Sequence, residues 1–468
     1  SISYGIMPPE ISAVLDKLSS SSLLTELGIQ VGLFVLAVLF FNLGEETLLF
    51  WRRENFKKYM RWTLLEINIP RETLRNPKGM EQVLTALHAL KNDPGDMNEY
   101  YRDGEVTRWF SLEMVSFGGE THLYIRLYFK YRALVEAAFY SYYPDIELTE
   151  VPDYLDRFPK DVDDLSRKGY EVWGSEMTLK KDPTFPIKSY TMFESPDENK
   201  EYDPISTFRE VLSKVKRQEM VGIQFLIEAA PHDWIDHSKH IVEQLKESQS
   251  RREAVENAKN KNTTLFPEGG PLPVFETEIG KPNELDLFAK SLSRSPGETD
   301  ILKAVELNLS KPAFKTTIRF MYFSPKLMFY DSFARRGIVG AFNQYGALDL
   351  NSFGQNFKVG TKMNAWNWPF LFPKKRLRYR RQRLLYNYRH WKQPQINIWA
   401  KIMSMYPLNF NWASKKMYLN IESIATLFHP PSHFALTAPH IKRVESRKAG
   451  PPAGLPIYGE ESGIDKFL

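Results

Sequence analysis

The nineteen residues KKRLRYRRQRLLYNYRHWK, Lys374 to Lys392, hold nine cations and no acid: Lys374, Lys375, Arg376, Arg378, Arg380, Arg381, Arg383, Arg389 and Lys392. Tyr379, Tyr386, Tyr388 and Trp391 are interleaved with them. Cations displace counterions from phosphates and aromatic faces stack on unpaired bases, so the pattern suits single-stranded nucleic acid. It also suits an anionic lipid surface, acids on a neighbouring subunit, or a simply solvated face.

The remaining chemistry is sparse. His232, Asp236 and His240 fall at helical spacing, with Asp233 and His237 beside them, which is one way to place metal ligands on a side. Acids at a helix start complement its dipole equally well, and no glutamate base is arranged as in H-E-x-x-H, so no metal is assigned. His429 and His433 straddle two prolines and share no defined face. ETEIGKP has Gly280 and Lys281 but lacks the first glycine and the hydroxyl residue of a phosphate loop, and no G-x-S-x-G elbow occurs. A non-enzyme without a cofactor is expected.

Composition narrows the classes further. The 468 residues include 62 Lys and Arg against 57 Asp and Glu, so phosphate affinity must come from local clusters, not the overall balance. The chain contains 0 cysteines, which excludes disulfide scaffolds, thiolate nucleophiles and cysteine zinc sites. With 43% hydrophobic residues it can bury cores.

One segment departs from the soluble pattern. LGIQVGLFVLAVLFFNL, Leu27 to Leu43, is uncharged and as a helix spans about 25 Å, enough to cross most of a hydrocarbon core of about 30 Å. Glu10, Asp16 and Glu26 outnumber Lys17 before it, whereas Arg52, Arg53, Lys57, Lys58 and Arg61 follow it beside Trp51 and Trp62. That basic collar predicts a single-pass anchor in the inner (cytoplasmic) membrane, N-terminus outside and the bulk in the cytoplasm. Gly28 and Gly32 are spaced for close helix contact within the bilayer.

Elements follow in an ordered series. LLEINI alternates as a strand, GMEQVLTALHAL carries a helical apolar stripe, and two alternating runs flank Gly118 and Gly119 as a hairpin. RALVEAAFYSYY and DIELTEV complete β-α-β-β-α-β, the ferredoxin-like plan. A second copy starts at YEVWGSEMTL, continues through a helix capped by Asp203 and Pro204, MVGIQFLIEAA and AFKTTIRFMYF, and ends at KKMYLNI. The expected fold is therefore α+β: an extracytoplasmic segment 1–22, an anchor 23–50, a first ferredoxin-like domain 51–155, a second at 156–430 and a Pro/Gly-containing linker 431–468. The second domain needs insertions at 233–309, opening with a largely polar helix, and at 347–413, with little periodicity.

The phrases WTLLEINIPRETLRNPKGMEQVLTALHAL, YYPDIELTEVPDY, VWGSEMTLKKDPTFPIKSYTMFE, DPISTFREVLSKV and NIESIATLFHPPS…APHIKRVESRKAGPPAGLPI occur here in that order. Together they resemble the N-terminal, non-motor part of membrane-anchored ATPases related to type IV secretion and conjugation, in a version associated with small-genome candidate-phyla bacteria. The resemblance covers most of Trp62 to Ile457. It implies that Ala449–Ile457 leads toward a HerA/FtsK-like motor, which is either separate or removed, and that several copies assemble. It carries over no catalytic residue. The expectation is a membrane-anchored scaffold in contact with lipid, a motor ATPase and copies of itself, with a strand-guiding nucleic-acid module as the alternative.

Overall fold

The structure, a computed structural model, describes residues 21–70, 77–193, 203–231, 234–243, 245, 296–357, 359–361, 372–394, 398–405 and 417–431. The segment 1–20, most of the polar helix expected after Leu245, His232, Asp233, His433 and the linker 432–468 lie outside the described residues.

The described chain begins with α1 (Ser21–Tyr59), an unbroken helix long and apolar enough to cross a membrane. Leu27, Phe34 and Phe41 lie exposed along it, as the side chains of a lipid-facing span do. β1 (Trp62–Asn68), α2 (Lys78–Ala89), β2 (Trp109–Phe117), β3 (Glu120–Tyr128), α3 (Arg132–Tyr142) and β4 (Glu147–Glu150) follow. Gly118 and Gly119 turn the β2–β3 hairpin at φ of 58° and 94°, a region open to glycine without steric cost. A short connection with α4 (Val162–Arg167) leads to β5 (Tyr170–Leu179), α5 (Ser206–Ser213), β6 (Met220–Ala229) and α6 (234–243). Then come α7 (Pro296–Ser310), β7 (Ala313–Pro325), α8 (Asp331–Asn343), β8 (Phe353–Asn356), α9 (Pro373–Arg389), α10 (Ile398–Met403), β9 (Met417–Asn420) and α11 (Ile421–Leu427).

Among the described residues, nine strands form one antiparallel sheet in the order β4-β1-β3-β2-β6-β7-β5-β8, with β9 paired to β7. The two halves meet where β2 and β6 pair from Trp109↔Glu228 to Phe117↔Met220. One face carries alternating apolar side chains such as Leu65, Leu112, Ile125, Ile223, Phe225, Ile318 and Phe320. Onto it pack Leu84 of α2, Phe139 of α3, Phe208 of α5, Phe342 of α8 and Ile424 of α11. Each large side chain buried there contributes roughly 1.5–3 kcal/mol of transfer free energy, which makes this layer the main apolar core.

The final element of the second half differs from expectation. KKMYLNI supplies β9, but β9 pairs with Ala313–Thr316 of β7, in line with β5, which takes Ile318 to Pro325. The place beside β5 goes to β8, where Glu176↔Asn356 and Leu179↔Phe353 pair. β8 lies in the stretch 347–413. Its four residues, FGQN, are too short and too polar to show a two-residue period.

Asp203 also acts differently from a simple cap. Its carboxylate accepts from the Ile205 N–H at 3.0 Å, and α5 starts one residue further on, at Ser206. The same oxygen lies 2.8 Å from His429 Nε2, while His429 Nδ1 lies 2.8 Å from the Ala425 carbonyl. Both ring nitrogens thus face acceptors at a fully buried site, which ties α11 to the start of α5. Replacing His429 with alanine takes the ring away from the buried Asp203 carboxylate. A loss of about 3–5 kcal/mol is expected in urea denaturation, with Asp203→Asn in the same background restoring part of it.

Candidate functional site

The second face of the sheet sets buried charged and polar side chains among apolar ones, where the first is almost wholly apolar. At the central β2–β6 pair, Glu113 lies opposite Gln224, and both are fully buried. Further out, Glu176 on β5 meets Arg319 on β7, with Arg319 Nε and Nη2 donating to Glu176 Oε1 at 3.0 and 2.8 Å. A charged row on a strand needs partners above it, and α9, the basic helix, supplies them.

Leu384, Leu385 and Tyr388 of α9 pack on Val115, Met220, Met321 and Phe323 of the sheet. Gly222 allows this approach, because a Cβ there would stand 2.0 Å from the Tyr388 hydroxyl. The last carbonyls of a helix have no partner within it, and here the strands supply donors to them and to the residues just beyond. Gln224 Nε2 reaches the Tyr388 carbonyl at 3.0 Å, Arg319 Nη1 that of Asn387 at 3.1 Å, and Arg319 Nη2 that of Lys392 at 3.2 Å. Trp391 adopts φ 48°, costly for an aromatic residue. It is held by Trp109 Nε1, 3.1 Å from its carbonyl, and by its own indole N–H on Glu113.

Most of the cations of Lys374–Lys392 are therefore turned toward the protein itself. Arg378 pairs with Asp163, Arg381 with Glu171 and Lys392 with Glu54. Arg389 donates to the Leu155 and Phe158 carbonyls at 2.8 and 3.1 Å, and Arg380 to that of Phe357 at 2.9 Å. Arg376 and Arg380 are buried, and Arg383 is partly so; burial lowers the pKa of all three, that of Arg380 to about 10. Lys374, Lys375, Arg378, Tyr379 and Tyr386 remain at the surface.

Glu113 is the centre of this layer. It accepts from Ser111 Oγ at 2.7 Å, from the Tyr154 hydroxyl and from Trp391, and Tyr154 lies 2.9 Å from the Tyr388 hydroxyl. Desolvation nevertheless pushes its pKa up, and desolvation likewise lowers Arg126, stacked between Trp62 and Trp391 at 4.3 and 3.9 Å, to about 9. The folded state thus keeps the Glu113 proton at pH values where the unfolded chain has released it. Its contribution to stability falls as pH rises from the ordinary carboxyl range through the raised value. Glu113→Gln is expected to flatten that slope, measured as urea midpoints across a pH series.

The base of α1 is clamped to this assembly. Glu54 takes Lys57 at 3.0 Å and Lys392 of the α9 flank, and Arg108 lies over Phe56 at 5.2 Å. The collar cations also turn inward: Arg52 donates to the Tyr101 carbonyl, Arg53 covers Tyr100 at 4.7 Å and Arg61 covers Phe129 at 4.4 Å. Lys58 reaches Asn55 at 3.1 Å. Higher up, Glu46 accepts from the Ile398 N–H, and Trp399 Nε1 donates to Thr47 Oγ1 at 2.7 Å. Between α1, the π-helical turn Asn98–Asp103 and α10 lies a cleft of about 770 Å³.

His237 stands 3.4 Å from Asp182, and Asp236 and His240 are exposed. Among the described residues no three His, Asp or Glu side chains converge in metal-binding geometry. Arg126, Arg319, Glu54, Glu113 and Glu176 do not stand out in the sequence. The one signal for the strand residues among them is a charge at an interior position of an alternating run, as in TTIRFMYF.

A family model described as a domain of unknown function, DUF8128, matches residues 48–432. The chain belongs to the DUF8128 family. The DUF8128 region runs from the lower part of α1 to the residues just after α11, so it takes in the whole sheet and α9. The apolar run Leu27–Leu43 precedes it. No curated protein matches the sequence.

Proposed function

We propose that this protein is a non-catalytic, membrane-anchored scaffold that docks a motor ATPase of a type IV secretion or conjugation-like translocation machine. The observation that carries it is the rigid join between α1 and the sheet. The helix whose upper half is apolar and exposed is locked below by Glu54–Lys392, Glu46–Ile398 and Thr47–Trp399. Force on the body is thereby transmitted to the anchor. Each half of the sheet is read as a ferredoxin-like unit, supported by the strand orders β4-β1-β3-β2 and β8-β5-β7-β6. The collar after Leu43 supports a single pass in the inner membrane with the body in the cytoplasm, and the family resemblance supports assembly of several copies.

The test uses the detergent-solubilised protein, cross-linked in cells before purification. Recovery of a HerA/FtsK-type ATPase together with copies of this chain is expected, with no nucleotide turnover by the protein alone. Turnover by the solitary protein removes the scaffold reading.

A second reading, strand guidance, draws on the exposed Lys374, Lys375, Arg378, Tyr379 and Tyr386. Here Lys374→Ala, Lys375→Ala and Arg378→Ala together are expected to reduce the salt slope of single-strand DNA binding by roughly 0.7 for each phosphate no longer neutralised. An unchanged slope rejects it.

A further inference from the structure

Beside α1, one stripe of the helix, Asn42, Glu46, Leu49, Arg53 and Lys57, walls the cleft of about 770 Å³. Its volume lies in the range of ligand pockets, about 300–1,000 Å³. The stripe rises roughly 22 Å at 1.5 Å per residue, and its upper end, Asn42, belongs to the apolar run. The opposite walls include Tyr100, Tyr101, Trp109, Lys315, Gln393 and Lys401.

The polar groups of this cleft are unevenly satisfied. Every acid lining it already has a donor: Glu45 from the Tyr101 hydroxyl, Glu46 from the Ile398 N–H, Glu105 from Arg108 at 2.7 Å and Glu228 from Lys315 at 2.6 Å. Lys57 is held by Glu54 at 3.0 Å. Among the described residues, Arg53 and Lys401 are the lining cations with no carboxylate against them. Arg53 Nε and Gln393 Nε2 are moreover shielded from solvent with no hydrogen-bond partner. Shielded donors without acceptors cost about 1–3 kcal/mol each unless something fills the gap. The lining acids and cations balance in number, so what is unmet is donors, and the group that would meet them is one rich in acceptor oxygens, as a phosphate is.

Depth identifies its source. α10, which carries Lys401, bonds to Glu46 and Thr47, three and four residues past Leu43, hence about 5–6 Å along the helix. The headgroup layer on one side of a bilayer is about 5–7 Å thick. Trp399, half-exposed on the same helix, is the residue type that settles at that level. Taking α1 as a membrane span, on which this step rests, we propose that the cleft is a binding site for the phosphate headgroup of an anionic phospholipid from the adjoining leaflet, with Lys401 at its mouth and Arg53 and Gln393 deeper in.

The test is calorimetric titration of the full chain in detergent with short-chain phosphatidylglycerol and, separately, with inorganic phosphate. Saturable binding of the lipid is expected, weakened roughly tenfold or more by Arg53→Gln with Lys401→Gln, as loss of charge-assisted hydrogen bonds dictates. Lys401→Gln alone, at an exposed position, keeps the test decisive if the Arg53 variant fails to fold. Lys168→Gln with Lys303→Gln, remote from the cleft, should leave binding unchanged. Absent binding, or binding equal in the Arg53 and Lys401 variants, overturns the site. Inorganic phosphate binding as tightly as lipid, and abolished in the same variants, overturns the lipid source. Carbonate extraction of membranes judges the anchor separately, since a carbonate-soluble chain refutes the span whatever the calorimetry reads.

Discussion

Arg319→Met is expected to lower stability by about 3–5 kcal/mol, seen as a fall in the urea midpoint, because it takes the guanidinium away from the buried Glu176 carboxylate. Arg319 and Glu176 are only 1% and 2% exposed, so water cannot take over from the missing guanidinium. The guanidinium also donates to the Asn387 and Lys392 carbonyls, which makes it the bolt between β7 and the end of α9. Adding Glu176→Leu should recover the charge component, since apolar replacement of a whole buried pair is often tolerated. It should not recover the two carbonyls, each worth about 1–3 kcal/mol once its donor is gone. A double variant as stable as the parent would mean that the Arg319 bonds to the Asn387 and Lys392 carbonyls do not help to hold α9.

Val35→Arg with Leu36→Arg, at the middle of the apolar run, is expected to move the protein from the membrane pellet to the supernatant. Each arginine at a span centre costs about 2.5–3.5 kcal/mol for insertion, and the run is only 17 residues long, so little margin remains. Both side chains are exposed, and the body should keep its urea midpoint. Retention of the variant in carbonate-washed membranes would place the attachment elsewhere, on the body or on a partner.

Several elements are legible in the sequence because their signal is local. The apolar run stands out against charged neighbours, and both strand-helix-strand series declare themselves by period: Leu65, Ile67 and Ile69 in one strand, Met80, Val83, Leu84 and Leu87 in the next helix. Asn420 before IESIATL marks α11, and its side chain does accept from Ser423 N at 2.7 Å. β8 is invisible at that level because four residues carry no period, and the place of β9 depends on which length of β7 stays open.

The basic segment marks the limit of reading by composition. Nine cations in nineteen residues look like a surface, since a run of charge is most favourably placed in water. Yet the acids that receive them, Glu54, Asp163 and Glu171, are more than two hundred residues away in the chain, and Glu113 and Arg319 wait beneath the same helix. By itself the sequence determined the apolar helix, the order of strands and helices in the first series and the absence of cysteine, all of which depend on residue identity and short-range spacing. Only the tertiary structure decided that the two series share one sheet, that the basic helix roofs its second face, and that α1 is bolted to both, because burial and charge pairing are set by groups distant in sequence that meet when the chain closes.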